Sequence, residues 1–134
     1  EGKECSERAL GILRRLVKGD GKVANFRPML ADVLCEHAGR SLDEGDATTA
    51  ARVAGEAIAA LLPIDAPTGA VEAKRHLAAA HALRGRAAKA LGKEEAAREH
   101  LRQAAEYYRA VVESAPRNEK LREAAALVTR LLAE

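Results

Sequence analysis

Aromatic residues are almost missing from this chain: Phe26, Tyr107 and Tyr108 are the whole set, and there is no tryptophan. A core built with so few rings has to be filled by small and branched aliphatic side chains. Cysteine is nearly absent as well. Cys5 and Cys35 stand far apart without metal-ligand spacing, which argues against a disulfide scaffold and for reduced thiols in a cytoplasmic setting. Neither sign of charge dominates, since 22 basic and 20 acidic residues leave a formal +2, so composition gives no reason to expect nucleic acid. No apolar run approaches the ~20 residues of a membrane span, and no signal-peptide pattern is present. β-Branched residues never alternate over a strand's length, which removes a sheet from consideration.

What is there points to helix. Alanine dominates, with leucine, glutamate, arginine and lysine, and these residues lose little side-chain freedom in a helix. At 134 residues, 48% hydrophobic and 31% charged, the chain is one domain with enough apolar surface for a real core. It opens Glu1-Gly2-Lys3 without methionine, so it is expected to be a segment of a longer protein.

Turn chemistry divides the chain into six expected helices. The first runs from about Ser6 to Val17 and stops at Gly19-Asp20-Gly21. The second begins near Pro28, with an inner stripe of Leu30, Val33, Leu34, His37, Ala38, Ser41 and Leu42, and ends at Gly45. Asp46 is placed to cap the third, which carries Ala50, Ala54, Ala57, Ile58, Leu61 and Leu62. Pro63 to Gly69 is a linker with two prolines. The fourth covers about Ala70 to Leu91 before Gly92, and Glu94 and Glu95 open the fifth at the positive end of its dipole. The fifth stops at Pro116, and Asn118 caps the sixth. Short connections imply antiparallel neighbours.

Matching Gly45 to Gly92 lays the second and third helices over the fourth and fifth. Leu34, Ala38, Ser41, Ala50, Ala54 and Ala57 then fall opposite His81, Gly85, Ala88, Ala97, Leu101 and Ala104. Small residues meet small residues, as tight helix pairing demands. This pattern resembles the tetratricopeptide repeat, best over Gly85, Ala88, Leu91-Gly92-Lys93, Ala97, Leu101 and Ala104. The resemblance covers about two-thirds of the chain and implies an all-α, antiparallel helix-hairpin array, an α-solenoid. Within one domain over 1–134, it implies a half repeat at 1–20, a repeat at 26–63, a lengthened repeat at 69–116 and a capping helix at 118–134. Departures are plain: the interval is 47 residues against about 34 in the standard unit. Pro116 comes about two turns late, and Leu34 and His81 stand where the family has an aromatic. A plain helical bundle rich in alanine is the competing architecture. Arrays of this kind resemble interaction regions attached to larger bacterial signalling proteins.

The sharpest surface feature is a stripe on the fourth helix: Arg75, Ala79, Ala82, Arg86, Lys89 and Lys93, spaced four, three, four, three and four apart. At about 100° per residue they share one face, basic at its ends and small in its middle. The resemblance puts that face on the concave groove, as a docking surface for an acidic or C-terminal peptide. On an isolated helix the same stripe is a solvated polar face. Its counterpart in the other copy, Asp32, Cys35, Glu36, Gly39 and Asp43, is acidic, so a mixed-sign groove is expected, unlike the family's basic-and-asparagine clamp.

Enzymatic chemistry finds no foothold. His76 and His81 point about 140° apart on one helix, His37 reads as a hydrogen-bonded core residue and His100 as surface, so no metal site is expected. Ser6, Ser41 and Ser114 lie in helical contexts without a nucleophile elbow, and Lys18 to Lys22 follows a helix, not a strand. No cofactor is implied, and single-stranded nucleic acid lacks stacking rings near the basic stripe. The expected function is a non-catalytic scaffold holding a protein or peptide. The alternatives are self-association into a homo-oligomer, through open array ends or the Tyr107/Tyr108 region, and regulation of an attached signalling enzyme.

Overall fold

The computed structural model describes residues 26–61 and 70–133, together with the separate helical positions Arg8, Gly11, Ile12 and Arg15. Five helices and no strand occupy the described stretches: α1 (Phe26–Asp43), α2 (Ala47–Leu61), α3 (Ala70–Ala90), α4 (Glu94–Ser114) and α5 (Glu119–Ala133). Apart from the four separate positions, the helix expected at Ser6 to Val17 lies outside the described residues, as does the Pro63 to Gly69 linker. Among the described residues no helix is long and apolar enough to cross a membrane.

The two hairpin turns are the same object built twice. At the end of α1, Gly45 takes φ +83°, its N–H donates to the Leu42 carbonyl at 3.0 Å, and the Asp46 N–H donates to the Ser41 carbonyl at 2.7 Å. At the end of α3, Gly92 takes φ +79°, with Gly92 N–H to Lys89 O at 3.1 Å and Lys93 N–H to Ala88 O at 2.8 Å. A left-handed residue is needed to bring both N–H groups back onto the last carbonyls, and glycine takes it without a Cβ clash. The copies differ one residue later. Asp46 Oδ1 accepts the Thr49 N–H at 3.1 Å, whereas Lys93, at the matched place, offers no side-chain cap to α4. Glu94 and Glu95 in the first turn of α4 supply favourable charge instead. At the third junction Asn118 Oδ1 caps α5 through the Leu121 N–H at 3.2 Å. α1 starts at Phe26, before Pro28, because a proline in the first turn removes only a donor that has no helical partner anyway.

Each helix packs on its neighbour in sequence, and α1 also packs on α3. One core gathers Leu34, Val53, Leu61 and Leu77; a second gathers Leu101, Val111, Leu121 and Val128. Tyr107 packs against both. All twelve positions paired by the Gly45-to-Gly92 match are buried, so the match picks out the packed edges of both hairpins. Helix α3 approaches α4 closely at Gly85, where a Cβ would stand 2.8 Å from Leu101 Cγ and 3.2 Å from the Ala97 carbonyl oxygen. The matched pair in the first hairpin is Ala38 and Ala54, so equal small residues there correspond to the smallest and a large one here. His37, expected in the core, is half-buried and lines a small recess with Arg40, Ser41 and Glu44. The buried edge of α1 runs through Leu30, Ala31, Leu34, Ala38 and Ser41 and leaves His37 beside it.

Candidate functional site

Four of the six stripe residues line open clefts. The first cleft lies between α1 and α3, encloses about 510 Å³, and is lined by Met29, Asp32 and Cys35 on one side and Arg75, His76 and Ala79 on the other. A second, of about 260 Å³, is lined by Ala79, Ala82, Leu83 and Arg86 of α3, Tyr108 of α4, and Ala124 and Leu127 of α5. Ala79 belongs to both, so α3 is a floor shared by two adjoining clefts walled by α1 and α5. Arg75 and Arg86 are exposed, eleven residues apart along that floor, which is about 16 Å of helix. Between them Ala79 and Ala82 keep the floor low.

Lys89 and Lys93 line neither cleft. Lys89 is half-buried and engaged within the chain, while Lys93 is exposed at the turn into α4. Met29 and Asp32 sit one repeat interval before His76 and Ala79, so matched positions of the two copies line the first cleft. Met29 and Leu127, two of the large hydrophobic residues left exposed, at 55% and 37%, fall on these same walls. Apolar side chains held in water on a concave face are available for contact.

Neither the thiol nor the phenol that lines the clefts ionises at neutral pH. Burial, reinforced by Asp32 and Glu36, pushes the Cys35 thiol up to about 12, so it stays a thiol at neutral pH. Burial, with Cys35 adding to it and Arg75 opposing, pushes the Tyr108 phenol up to about 12. Among the described residues no three metal-ligating side chains gather.

On the opposite side of α3 the structure joins two histidines that the sequence reading kept apart. His81, only 6% exposed, has its Nδ1 3.1 Å from Nδ1 of His100 on α4. The rings lie within 27° of parallel with centroids 5.3 Å apart. The nitrogens are closer than the ~3.5–4.0 Å of ring atoms in van der Waals contact, so the imidazoles meet edge to edge through an N–H···N bond. One nitrogen donates and the other accepts, which needs at least one neutral ring. Tyr107 lies at 15° to His81 with centroids 5.9 Å apart, closing the cluster. Burial first, then His100 and Arg84, lowers His81 to about 4; burial and Arg84 lower His100, with Glu99 opposing. His100 is therefore a half-buried bonding partner and not a free surface residue.

The residues that sequence reasoning missed are Met29, His76, Leu83, Tyr108, Ala124 and Leu127 as cleft lining, and the His81–His100 bond. For the walls a signal existed in the repeat match, which already placed Asp32 and Cys35. The histidine bond needs the register of α3 against α4, and nothing local encodes that. No protein family, curated protein or solved structure matches this chain.

Proposed function

We propose that the chain is a tetratricopeptide-like array that holds a protein or peptide segment across the face formed by α1, α3 and α5. Two matched turns, the burial of all twelve matched positions, and the packing of α1 on α3 support this reading of the architecture. One observation carries the binding function: Arg75, Ala79, Ala82 and Arg86 floor two adjoining clefts whose walls expose Met29 and Leu127. Small residues let a ligand backbone come close, and the arginines supply forked donors for carboxylates. Lys89 and Lys93 extend the positive field past the cleft and attract an acidic segment without touching it. The role is non-catalytic and lies in the cytoplasm.

Selection of a random-peptide phage library on the wild-type domain tests this. Enriched peptides are expected, and a variant with Arg75→Glu and Arg86→Glu should lose them by more than about tenfold while its helical circular dichroism is unchanged. Equal enrichment on both proteins would remove the groove from the account.

A further inference from the structure

Helical frameworks bind metal ions where ligand atoms on facing helices converge. His81 and His100 converge across α3 and α4: their Nδ1 atoms stand 3.1 Å apart, and neither ring lines a cleft. Two imidazole nitrogens that share one ion, each about 2.0–2.1 Å from it, are about 2.9 Å apart at a right angle and about 3.3 Å apart at the tetrahedral angle. The observed separation falls between these two limits. Both side chains are carried by 21-residue helices packed on each other, so the spacing is held by the fold and not by a loop.

The pair also has the protonation state that a metal needs. An ion takes the lone pair of a neutral imidazole, and burial with Arg84 moves both rings below the ordinary histidine value. In the N–H···N bond one Nδ1 carries the bridging proton. Moving that proton to Nε2 of the same ring frees both Nδ1 lone pairs, so an ion takes the place of the bridging hydrogen without net proton release. His81 is 6% exposed and His100 half-buried, so the ion reaches the pair from the His100 side and keeps water in its other positions.

Among the described residues no third ligand joins the two rings. Glu99, the carboxylate that acts on His100, accepts from Gln103 at 3.2 Å and lies 3.8 Å from Arg102. Arg84 acts on both rings and opposes any cation placed between them. Only an ion that strongly prefers imidazole to water overcomes that repulsion, which selects the zinc and nickel class over magnesium and calcium.

We propose that His81 and His100 form a two-imidazole site for a divalent transition-metal ion of the zinc class, which ties α3 to α4. The site is independent of the groove, and neither reading depends on the other.

The test titrates the metal-free chain with Zn2+ at neutral pH, with Mg2+ in parallel, and follows the histidine ring nitrogens by nuclear magnetic resonance. The Nδ1 signals of His81 and His100 are expected to move together and saturate, while His37 and His76 stay in place and Mg2+ has no effect. His100→Gln removes one ligand at a half-buried position, and calorimetry should show Zn2+ affinity falling by more than about tenfold with helical circular dichroism unchanged. Should that variant fail to fold, the wild-type spectra decide alone. A response at only one of the two rings, movement centred on His37 or His76, full affinity in a folded His100→Gln, or no response to millimolar Zn2+ would each overturn the site.

Discussion

Lys93 and Asp46 hold the same place in two identical turns, and only one of them caps the helix that follows. The first-turn N–H groups of α4 lack a side-chain acceptor at Lys93, so Lys93→Asp should raise stability by about 0.5–1 kcal/mol, read as a shift in the urea midpoint at unchanged slope. The neighbouring Glu94 and Glu95 repel a new carboxylate and hold the gain to the low end of the usual capping range. A lower midpoint would mean that the Lys93 side chain does something at the turn that capping does not describe. At this scale much was legible: Gly45, Gly92, Asp46 and Asn118 act on atoms within a few residues of themselves, so their roles follow from local chemistry. Tyr108 shows where that stops. It lines the second cleft together with Ala124 and Leu127 of α5, an element that arrives later in the chain.

At the scale of helices, the pairing of α3 with α4 is the element with the most specific chemistry. The His81–His100 bond survives only while at least one ring is neutral, and both rings favour the neutral form in the fold. Unfolded histidines titrate near 6.5, so as pH falls below that the unfolded chain binds protons that the folded chain refuses. Stability is therefore present in full above about 6.5 and is lost progressively as pH falls toward 4. His81 is better shielded than His100, which is half-buried and partly screened by water, so the expected loss is about 1–2 kcal/mol between pH 7 and pH 5. Urea unfolding at the two pH values measures it. A variant with His81→Leu, as at Leu34 in the first hairpin, and His100→Gln should show a flatter dependence. An unchanged slope would place the acid sensitivity elsewhere. The repeat match put His81 on the packed edge, but its partner lies nineteen residues on. Pattern alone could not reach that distance, because it fixes which faces meet and not which atoms.

Across the whole molecule, the two cores are joined by Tyr107, which packs against both and lies against His81. Sharing a side chain of this size favours unfolding as one unit over separate loss of the two hairpins. The chain offers a convenient check: its only tyrosines lie in α4 and it has no tryptophan, so intrinsic fluorescence reports one helix while far-ultraviolet circular dichroism reports them all. The two denaturation curves should coincide, and Tyr107→Ala should separate them. Separated curves in wild type would show that the cores melt independently. The same packing buries Tyr108 and half-buries Tyr107.

The unequal fit of Gly85 against Leu101, beside Ala38 and Ala54 one interval earlier, disfavours exchanged helix pairings. Two near-copies in one chain invite mistakes, in which α1 closes on α4 or two molecules exchange their second helices. Leu101 needs the hollow that only Gly85 leaves, where even a Cβ would stand 2.8 Å from it. Laid against Ala38 instead, the leucine meets a methyl group where its own branch must go, and an exchanged pairing is strained from the start. The hairpins share one turn, one interval and one pattern of burial, and the difference of a few carbon atoms tells each helix which copy it belongs to.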